Sequence, residues 1–152
     1  MTITSRRKTA AELFGVRAIP RNARDRLIDK AIDLFYTYGF NAVGIDRILT
    51  EAGVTKTTFY KHFQSKDDLL VEAVRRRHDW EMRAWRAAVR RIAGSDPAAQ
   101  LLGFFDVLDE WFNAPDFQGC IFINAAAEFP NPHDPVHQAR RGAQAAVPPN
   151  RP

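Results

Sequence analysis

The stretch AGVTKTTFYKHFQSKDDLL, residues 52–70, decides the fold of the first half of the chain. Gly53 suits a sharp turn between two short helices, because glycine adopts positive φ without steric cost. Val54, Phe59 and Phe63 give the segment after the turn a small apolar side. The face that they leave free is rich in hydrogen-bond donors and carries Lys56, Thr57, Thr58, Tyr60, Lys61 and His62. The pattern predicts a helix-turn-helix.

The polar face over residues 55–62 suits the major groove of duplex DNA. A lysine can reach guanine O6 and N7, and a threonine offers a hydroxyl and a methyl group to thymine, while tyrosine and lysine bind phosphates. We therefore interpret 55–62 as a recognition helix. The alternative for a bare helix-turn-helix pattern is an ordinary solvated helix.

Composition and charge narrow the class of protein. The chain has 152 residues, of which 45% are hydrophobic, and one cysteine, Cys120, so that no intrachain disulfide can form. This cysteine content fits a reducing cytoplasm best. The sequence shows neither a secretory signal nor an apolar run of about 18 residues. Residues 1–66 hold 12 Lys/Arg against 6 Asp/Glu, and residues 67–129 hold 7 against 11. A polyanion-binding first part fits this asymmetry, and so does a random solvated surface.

Helical periodicity runs through the whole chain, and the predicted fold class is all-α. Before the turn, a first helix has Leu27, Ala31, Leu34, Phe35 and Tyr38 on one face, with Gly39 as a left-handed stop. A second short helix follows over 45–52. Thr55 is the predicted N-cap of the recognition helix.

Longer helices follow the short ones. Ser65 and Asp68 form a capping-box pattern that starts a helix ending before Gly94. The next helix begins at Pro97 and has one apolar face, made of Leu101, Phe105, Leu108 and Phe112. An apolar segment covers 119–129. The last predicted helix, from Asp134-Pro135 to about Ala146, buries only Val136, Ala139, Ala143 and Ala146.

The stretch 24–70 resembles the DNA-binding domain of the TetR family of bacterial repressors. The segments AIDLFYTYGFNAVGIDRI, EAGVTKTTFYKHF and SKDDLL match the family pattern in order and spacing. The segment GCIFINAAAEFP, further along, is similar to a stretch found in one TetR subgroup. One departure is Val43-Gly44, where the family usually has Thr or Ser to start its second helix, so no contact is assigned there.

The resemblance implies roles for individual side chains. Thr55, Tyr60 and Lys66 would hold DNA phosphates, and Lys56, Thr57 and Lys61 would face base edges. Thr58 and His62 share that surface. Arg47, on the second helix, is a further expected phosphate contact. A basic arm is expected beside the groove, made of Arg6, Arg7, Lys8, Arg17, Arg21 and Arg24.

The resemblance also implies a homodimer that binds an operator in double-stranded DNA and responds to a small molecule. The predicted divisions are a flexible basic arm over 1–20, a DNA-binding head over 21–66, a helical regulatory domain over 67–146 and a disordered tail over 147–152. The regulatory domain is expected to be incomplete at its C-terminal end, with a weakened dimer as the result. The function predicted is a ligand-responsive regulator, in the first place a repressor.

The effector pocket is expected among the helices after the head. Its candidate wall residues are His78, Met82, Trp85, Phe105, Trp111, Phe112, Phe122 and Asn124. Plain core packing is the alternative for each aromatic residue. A lining of this kind favours an apolar or aromatic effector.

Catalytic and metal-binding patterns are weak. His133 and His137 are four residues apart, but His133 precedes the predicted helix start, so the pair is not expected to share a face. Cys120 lies in an apolar run that disfavours a thiolate. No enzymatic activity, cofactor or metal is predicted. The alternatives are a DNA-binding protein without effector control and, more remotely, a small metal-dependent enzyme.

Overall fold

The structure, a computed structural model, describes residues 7–145, with side chains as far as Gly142. Helices and turns make up this part of the chain and no strand occurs in it, which confirms the all-α prediction. The helices are α1 (Ala10–Phe14), α2 (Ala23–Tyr38), α3 (Ile45–Ala52), α4 (Lys56–Tyr60), α5 (Lys66–Ala93), α6 (Pro97–Phe112), α7 (Ile121–Glu128) and α8 (Pro135–Ala145). None of the described helices combines the length and apolar character needed to cross a membrane.

The helices group into two compact units. Among the described residues, the first unit takes in 7–18 together with Trp80–Gly119, and the second takes in Ile19–Asp79 together with 120–145. The second unit therefore contains the helix-turn-helix and also α7 and α8. This grouping differs from the predicted division at residue 66, which placed α7 and α8 with the regulatory part.

The core of the second unit forms around α2. Its buried side chains include Leu27, Ala31, Leu34, Phe35, Phe40, Ile48, Phe59, Phe63, Leu70, Val74, Ile121 and Val136. The predicted inner face of α2 is correct except at its last residue. Tyr38 is 51% exposed, because the helix ends there and its ring lies under the guanidinium of Arg47, 4.0 Å from the ring centroid.

Two predicted helix ends lie where the sequence placed them, but their local geometry differs from the prediction. Gly39 has φ 85° and ψ 168°, an extended conformation with positive φ and not the predicted left-handed stop. At the start of α5 the Ser65 hydroxyl accepts the Asp68 N–H at 3.1 Å, as predicted. The Asp68 carboxylate, however, accepts the N–H of Gln64, one residue before the cap, so the capping box is only half formed.

Within the arm expected over residues 1–20, the chain forms the helix α1 over Ala10–Phe14. A capping box starts this helix: the Thr9 hydroxyl accepts the Glu12 N–H, and the Glu12 carboxylate accepts the Thr9 N–H. Leu13 is buried, and its carbonyl accepts a hydrogen bond from Arg91 at 2.8 Å. Apolar burial and side-chain capping thus order the segment.

The apolar face predicted for α6 is mostly exposed to solvent. Leu101, Phe105 and Phe112 are 66%, 61% and 56% exposed, and the buried residues are Gly103, Val107 and Trp111. At Gly103 a Cβ would lie 3.0 Å from the Cβ of Ala93, so this side of α6 packs closely. α6 is apolar around most of its circumference, and close packing selects the face with the smallest residue.

The helix α8 agrees with its prediction where it is described. Val136 and Ala139 are buried, and Asp134 accepts the Val136 N–H at 2.8 Å at the helix start. The side chain of Ala143, the residue Ala146 and the predicted tail over 147–152 lie outside the described residues.

Candidate nucleic-acid interface

The turn of the helix-turn-helix is closed by backbone hydrogen bonds after α3. Gly53 has the left-handed conformation, φ 62° and ψ 42°. Its N–H donates to the carbonyl of Thr50 at 3.2 Å, and the Val54 N–H donates to the carbonyl of Leu49 at 3.0 Å. This is the Schellman pattern, which satisfies the last carbonyls of a helix and fixes the direction of the chain after it.

Helix α4, the predicted recognition helix, is held by a few buried side chains and hydrogen bonds. Phe59 is fully buried and Phe63 is 2% exposed, with their ring centroids 5.6 Å apart. At the N-terminus the Thr55 hydroxyl accepts the Thr58 N–H at 3.2 Å, which confirms the predicted N-cap. The hydroxyls of Thr55 and Thr58 are also hydrogen-bonded, at 2.9 Å.

The remaining surface around α4 is polar and accessible. Tyr60 is 55% exposed, and Thr58 is half-buried. Thr55 at the cap is exposed, as are Lys56, Thr57, Lys61 and His62. The structure thus brings these predicted DNA-contacting residues together on one short segment. Their individual roles toward bases and phosphates stay predictions.

Two predicted phosphate contacts, Arg47 and Lys66, have partners within the protein. Arg47 donates from Nε to the Glu51 carboxylate at 3.1 Å, and this hydrogen bond, followed by one with Tyr38, raises the pKa of the guanidinium above its usual value. Lys66 Nζ donates to the carbonyl of Phe40 at 2.9 Å. Both cations retain further donors for a phosphate, since a guanidinium has five and an ammonium three.

The residues of the expected basic arm are distributed over both units. Lys8 pairs with Glu110 at 2.9 Å in the first unit. Arg24 pairs with Glu72 at 3.2 Å in the second, with its guanidinium over the ring of Phe63. Arg7 and Arg21 are exposed and Arg17 is half-buried, while Arg6 lies outside the described residues.

A polar contact near the interface was missed from the sequence. The carboxylate of Glu128, at the end of α7, accepts the N–H groups of Phe40 and Asn41 at 2.8 and 2.7 Å. These residues belong to the loop after α2, far from Glu128 along the chain. The one indication in the sequence was the position of Glu128, an acidic residue near the end of an otherwise apolar segment. This position does not identify its hydrogen-bond partners.

The predicted effector-pocket residues fall into separate groups. In the second unit His78 and Phe122 are in edge contact, with centroids 6.0 Å apart, and Asn124 on α7 is half-buried. In the first unit Trp85 and Trp111 are 5.6 Å apart, and Met82 is half-buried on α5. Phe105 and Phe112 lie on the exposed side of α6 and are not part of the interior of that unit.

An aromatic partner of this tryptophan pair was also missed. Phe14 on α1 has its ring centroid 4.9 Å from that of Trp85 and 6.3 Å from that of Trp111. Phe104 and Phe117 extend the cluster, at 5.2 Å from Trp85 and 5.0 Å from Trp111. Phe14 falls within the basic arm expected over 1–20, and no aromatic partner was predicted for it.

The histidines near the C-terminal end have ordinary structural contacts. A ring nitrogen of His137 is hydrogen-bonded to the Phe129 carbonyl at 2.7 Å, and the His133 N–H donates to the side chain of Asn131. Within residues 7–145, no group of three or more His, Cys, Asp or Glu side chains is placed to hold a metal ion.

Residues 27–73 match the family model of the bacterial regulatory proteins, tetR family. The HTH-type transcriptional activator FasR of Mycolicibacterium smegmatis is 32% identical over 94 residues, which are 60% of this chain and 43% of FasR. The HTH-type transcriptional regulator TtgW of Pseudomonas putida is 30% identical over 67% of this chain and 78% of its own. This chain therefore spans less than half the length of FasR.

A crystal structure gives the same result at higher identity. The TetR-family transcriptional regulator SCO4454 of Streptomyces coelicolor is 40% identical, with a TM-score of 0.67 over 80% of this chain and 64% of that one. The similarity extends beyond the segment that the family model matches.

Proposed function

The chain belongs to the TetR family of bacterial regulatory proteins, and from this we propose that it regulates transcription in the cytoplasm by binding an operator in double-stranded DNA through α3 and α4. One observation carries the proposal. The accessible donors of the α4 segment lie beside an anchor, Phe59, that is fully buried. A rigid helix with a free polar face can enter the major groove without a change of fold.

The proposed roles follow the predicted contacts. Lys56, Thr57 and Lys61 read base edges, and Thr55, Tyr60 and Lys66 hold phosphates, with Arg47 as a further phosphate ligand. Thr58 and His62 complete the surface. Exposure of Lys56 and Lys61 supports a role at the bases, since a long cationic side chain can cross the groove to guanine.

Selection of a duplex from a random-sequence pool tests the proposal. Lys56→Ala should relax base preference, with each lost base contact costing about 1–3 kcal/mol. Tyr60→Ala should weaken the binding of all sequences alike. Affinity should fall as salt rises, because phosphate contacts release counterions.

Lys30→Ala is the matched control. Lys30 lies on α2 of the same unit, so its loss changes net charge equally but removes no proposed contact. Equal selection profiles for the Lys56 and Lys30 variants would contradict the base-reading role. Binding that does not depend on salt would contradict the phosphate contacts altogether.

A small apolar or aromatic effector is the second part of the proposal. The cluster of Phe14, Trp85 and Trp111 in the first unit, and the contact of His78 with Phe122 in the second, offer aromatic surface for such a compound. A ligand changes DNA binding only if it binds two arrangements of the protein with different affinity. We propose that the chain represses transcription and that the ligand relieves this repression. Expression of a reporter gene, measured with and without the chain, distinguishes repression from activation.

A homodimer is the third part. Two heads related by a two-fold axis would read half-sites about 34–36 Å apart. Sedimentation of the protein at low micromolar concentration, alone and with a selected duplex, gives the stoichiometry. A monomer in both conditions would contradict the dimer.

A further inference from the structure

The carboxylate of Glu128 uses both of its oxygens on one short loop. Oε1 accepts the Phe40 N–H at 2.8 Å, and Oε2 accepts the Asn41 N–H at 2.7 Å. Hydrogen bonds to an ionised acceptor are shorter and stronger than neutral ones. The loop over 39–41 joins α2 to the segment that enters α3. A side chain of α7 therefore satisfies two successive backbone donors next to the helix-turn-helix.

The same loop is held from other sides. Lys66 Nζ donates to the Phe40 carbonyl at 2.9 Å. The Phe40 ring is fully buried, and its centroid lies 5.0 Å from that of Phe35 and 5.7 Å from that of Phe129. Side chains of α5 and α7 thus fix the polar groups of the loop, while its one large apolar side chain is packed in the core.

Gly39 shows how closely Glu128 approaches. A Cβ at this position would lie 2.9 Å from Oε1, too close for the carboxylate to stay in place. The backbone there has φ 85°, which disfavours any other residue. Both the space and the conformation of Gly39 suit the bound carboxylate.

The start of α3 has little local support of its own. Its N-cap is Gly44, which makes no side-chain capping hydrogen bond. The orientation of α3 therefore depends on buried Ile48 and Leu49, on Val43 just before its N-cap, and on the loop that precedes it. We propose that Glu128 is a positioning residue for DNA recognition: it holds loop 39–41, and through it the α3–α4 pair, in the arrangement that binds DNA. This inference rests on the proposed function.

Two variants release the loop by different routes. Glu128→Gln keeps the size of the side chain but leaves one accepting oxygen, and its amide group turns a donor toward the second backbone N–H. Gly39→Ala keeps Glu128 and displaces its carboxylate sterically. The matched control is Glu12→Gln, because the Glu12 carboxylate also accepts a backbone N–H, that of Thr9 at 2.8 Å, but in the other compact unit.

Two readouts are taken at a temperature at which every variant is folded. Amide hydrogen exchange without DNA should accelerate at Phe40 and Asn41 in both loop variants and not in the control. The second readout uses a duplex that the wild-type chain enriches from a random-sequence pool. If one variant molecule in ten keeps the arrangement that binds DNA, the affinity of the variant for this duplex should fall about tenfold. The double variant should bind no more weakly than Gly39→Ala alone, because the contact that Glu128→Gln removes is already lost in that variant.

The two readouts separate the possible failures. Unchanged exchange at Phe40 and Asn41 would show that Glu128 does not hold the loop. Faster exchange with wild-type DNA affinity would overturn the positioning role while leaving the proposed function in place. If the wild-type chain enriches no duplex, the proposed function fails, and with it the link to DNA recognition.

Discussion

Phe59 and Tyr60 are adjacent in sequence and differ completely in burial. The first is fully buried and the second is 55% exposed. Their rings are perpendicular, with centroids 5.1 Å apart, so the buried ring supports the exposed one. A single pair of residues thus sets both the anchoring side and the accessible side of the recognition helix.

Loss of the Thr55 cap should destabilise the second unit. Thr55→Val removes the hydroxyl that accepts the Thr58 N–H and should lower the free energy of unfolding by about 1 kcal/mol. Chemical denaturation followed by far-ultraviolet circular dichroism measures the change. Thr57→Val, at an exposed position of the same helix, should stay within about 0.5 kcal/mol. Equal losses for both variants would mean that the cap contributes nothing specific.

Glycine at the turn is required by its backbone conformation alone. A Cβ at Gly53 would meet no atom within 4 Å, so Gly53→Ala tests the left-handed conformation without a clash. The free energy of unfolding should fall by about 1–2 kcal/mol. Gly142→Ala, in helix α8 and also without a nearby atom, should instead raise it by about 0.5–1 kcal/mol. Changes of the same sign would contradict this explanation.

At the scale of helices, ion pairs connect α5 to α2. Arg76 donates to the Asp25 carboxylate at 2.7 Å, and Arg24 pairs with Glu72 at 3.2 Å. The hydrogen bond from Arg76 is the main reason why the pKa of Asp25 lies below its usual value; burial opposes it. α5 therefore has defined polar contacts with the first helix of the head in addition to its apolar ones.

This pair gives a pH dependence with a definite sign. A carboxyl group whose pKa is lowered on folding adds stability above its unfolded pKa, near 3.8, and that stability is lost as pH falls through the folded value. Asp25→Asn should cost less than about 1 kcal/mol at neutral pH, because the pair is partly solvated. The free energies of unfolding of the wild type and of Asp25→Asn should converge in acid. Asp106→Asn, on α6, is the control. A difference in the free energy of unfolding between Asp25→Asn and wild type that persists in acid would contradict this explanation.

Sequence periodicity predicted the helices of the head because their apolar residues are few and confined to one side. Leu27, Ala31 and Phe35 leave only one possible inner face, and Gly53 marks the turn. On α6 apolar residues cover most of the circumference, so periodicity could not select the side that packs. The contact of Glu128 with Phe40 and Asn41 could not be predicted for another reason. These residues are far apart along the chain, and no local sequence pattern relates them.

At the scale of the whole molecule, the aromatic reporters are divided between the two units. The three tryptophans lie within Trp80–Gly119, and the three tyrosines lie within Ile19–Asp79. Helix α5 contains residues of both units. Tryptophan fluorescence therefore reports on the first unit, and Tyr60 lies on the proposed DNA surface of the second.

This division allows the proposed coupling between effector and DNA to be measured in both directions. An apolar aromatic compound that quenches tryptophan fluorescence should lower duplex affinity, by about 5- to 150-fold for a typical coupling of 1–3 kcal/mol. Linkage then requires that the duplex weaken binding of the compound by the same factor. Fluorescence titrations with and without a selected duplex measure both factors, and compounds that cause no quenching serve as controls. Quenching compounds that leave DNA affinity unchanged would favour the alternative of a DNA-binding protein without effector control. A ligand that binds both arrangements of the protein equally does not shift the equilibrium between them.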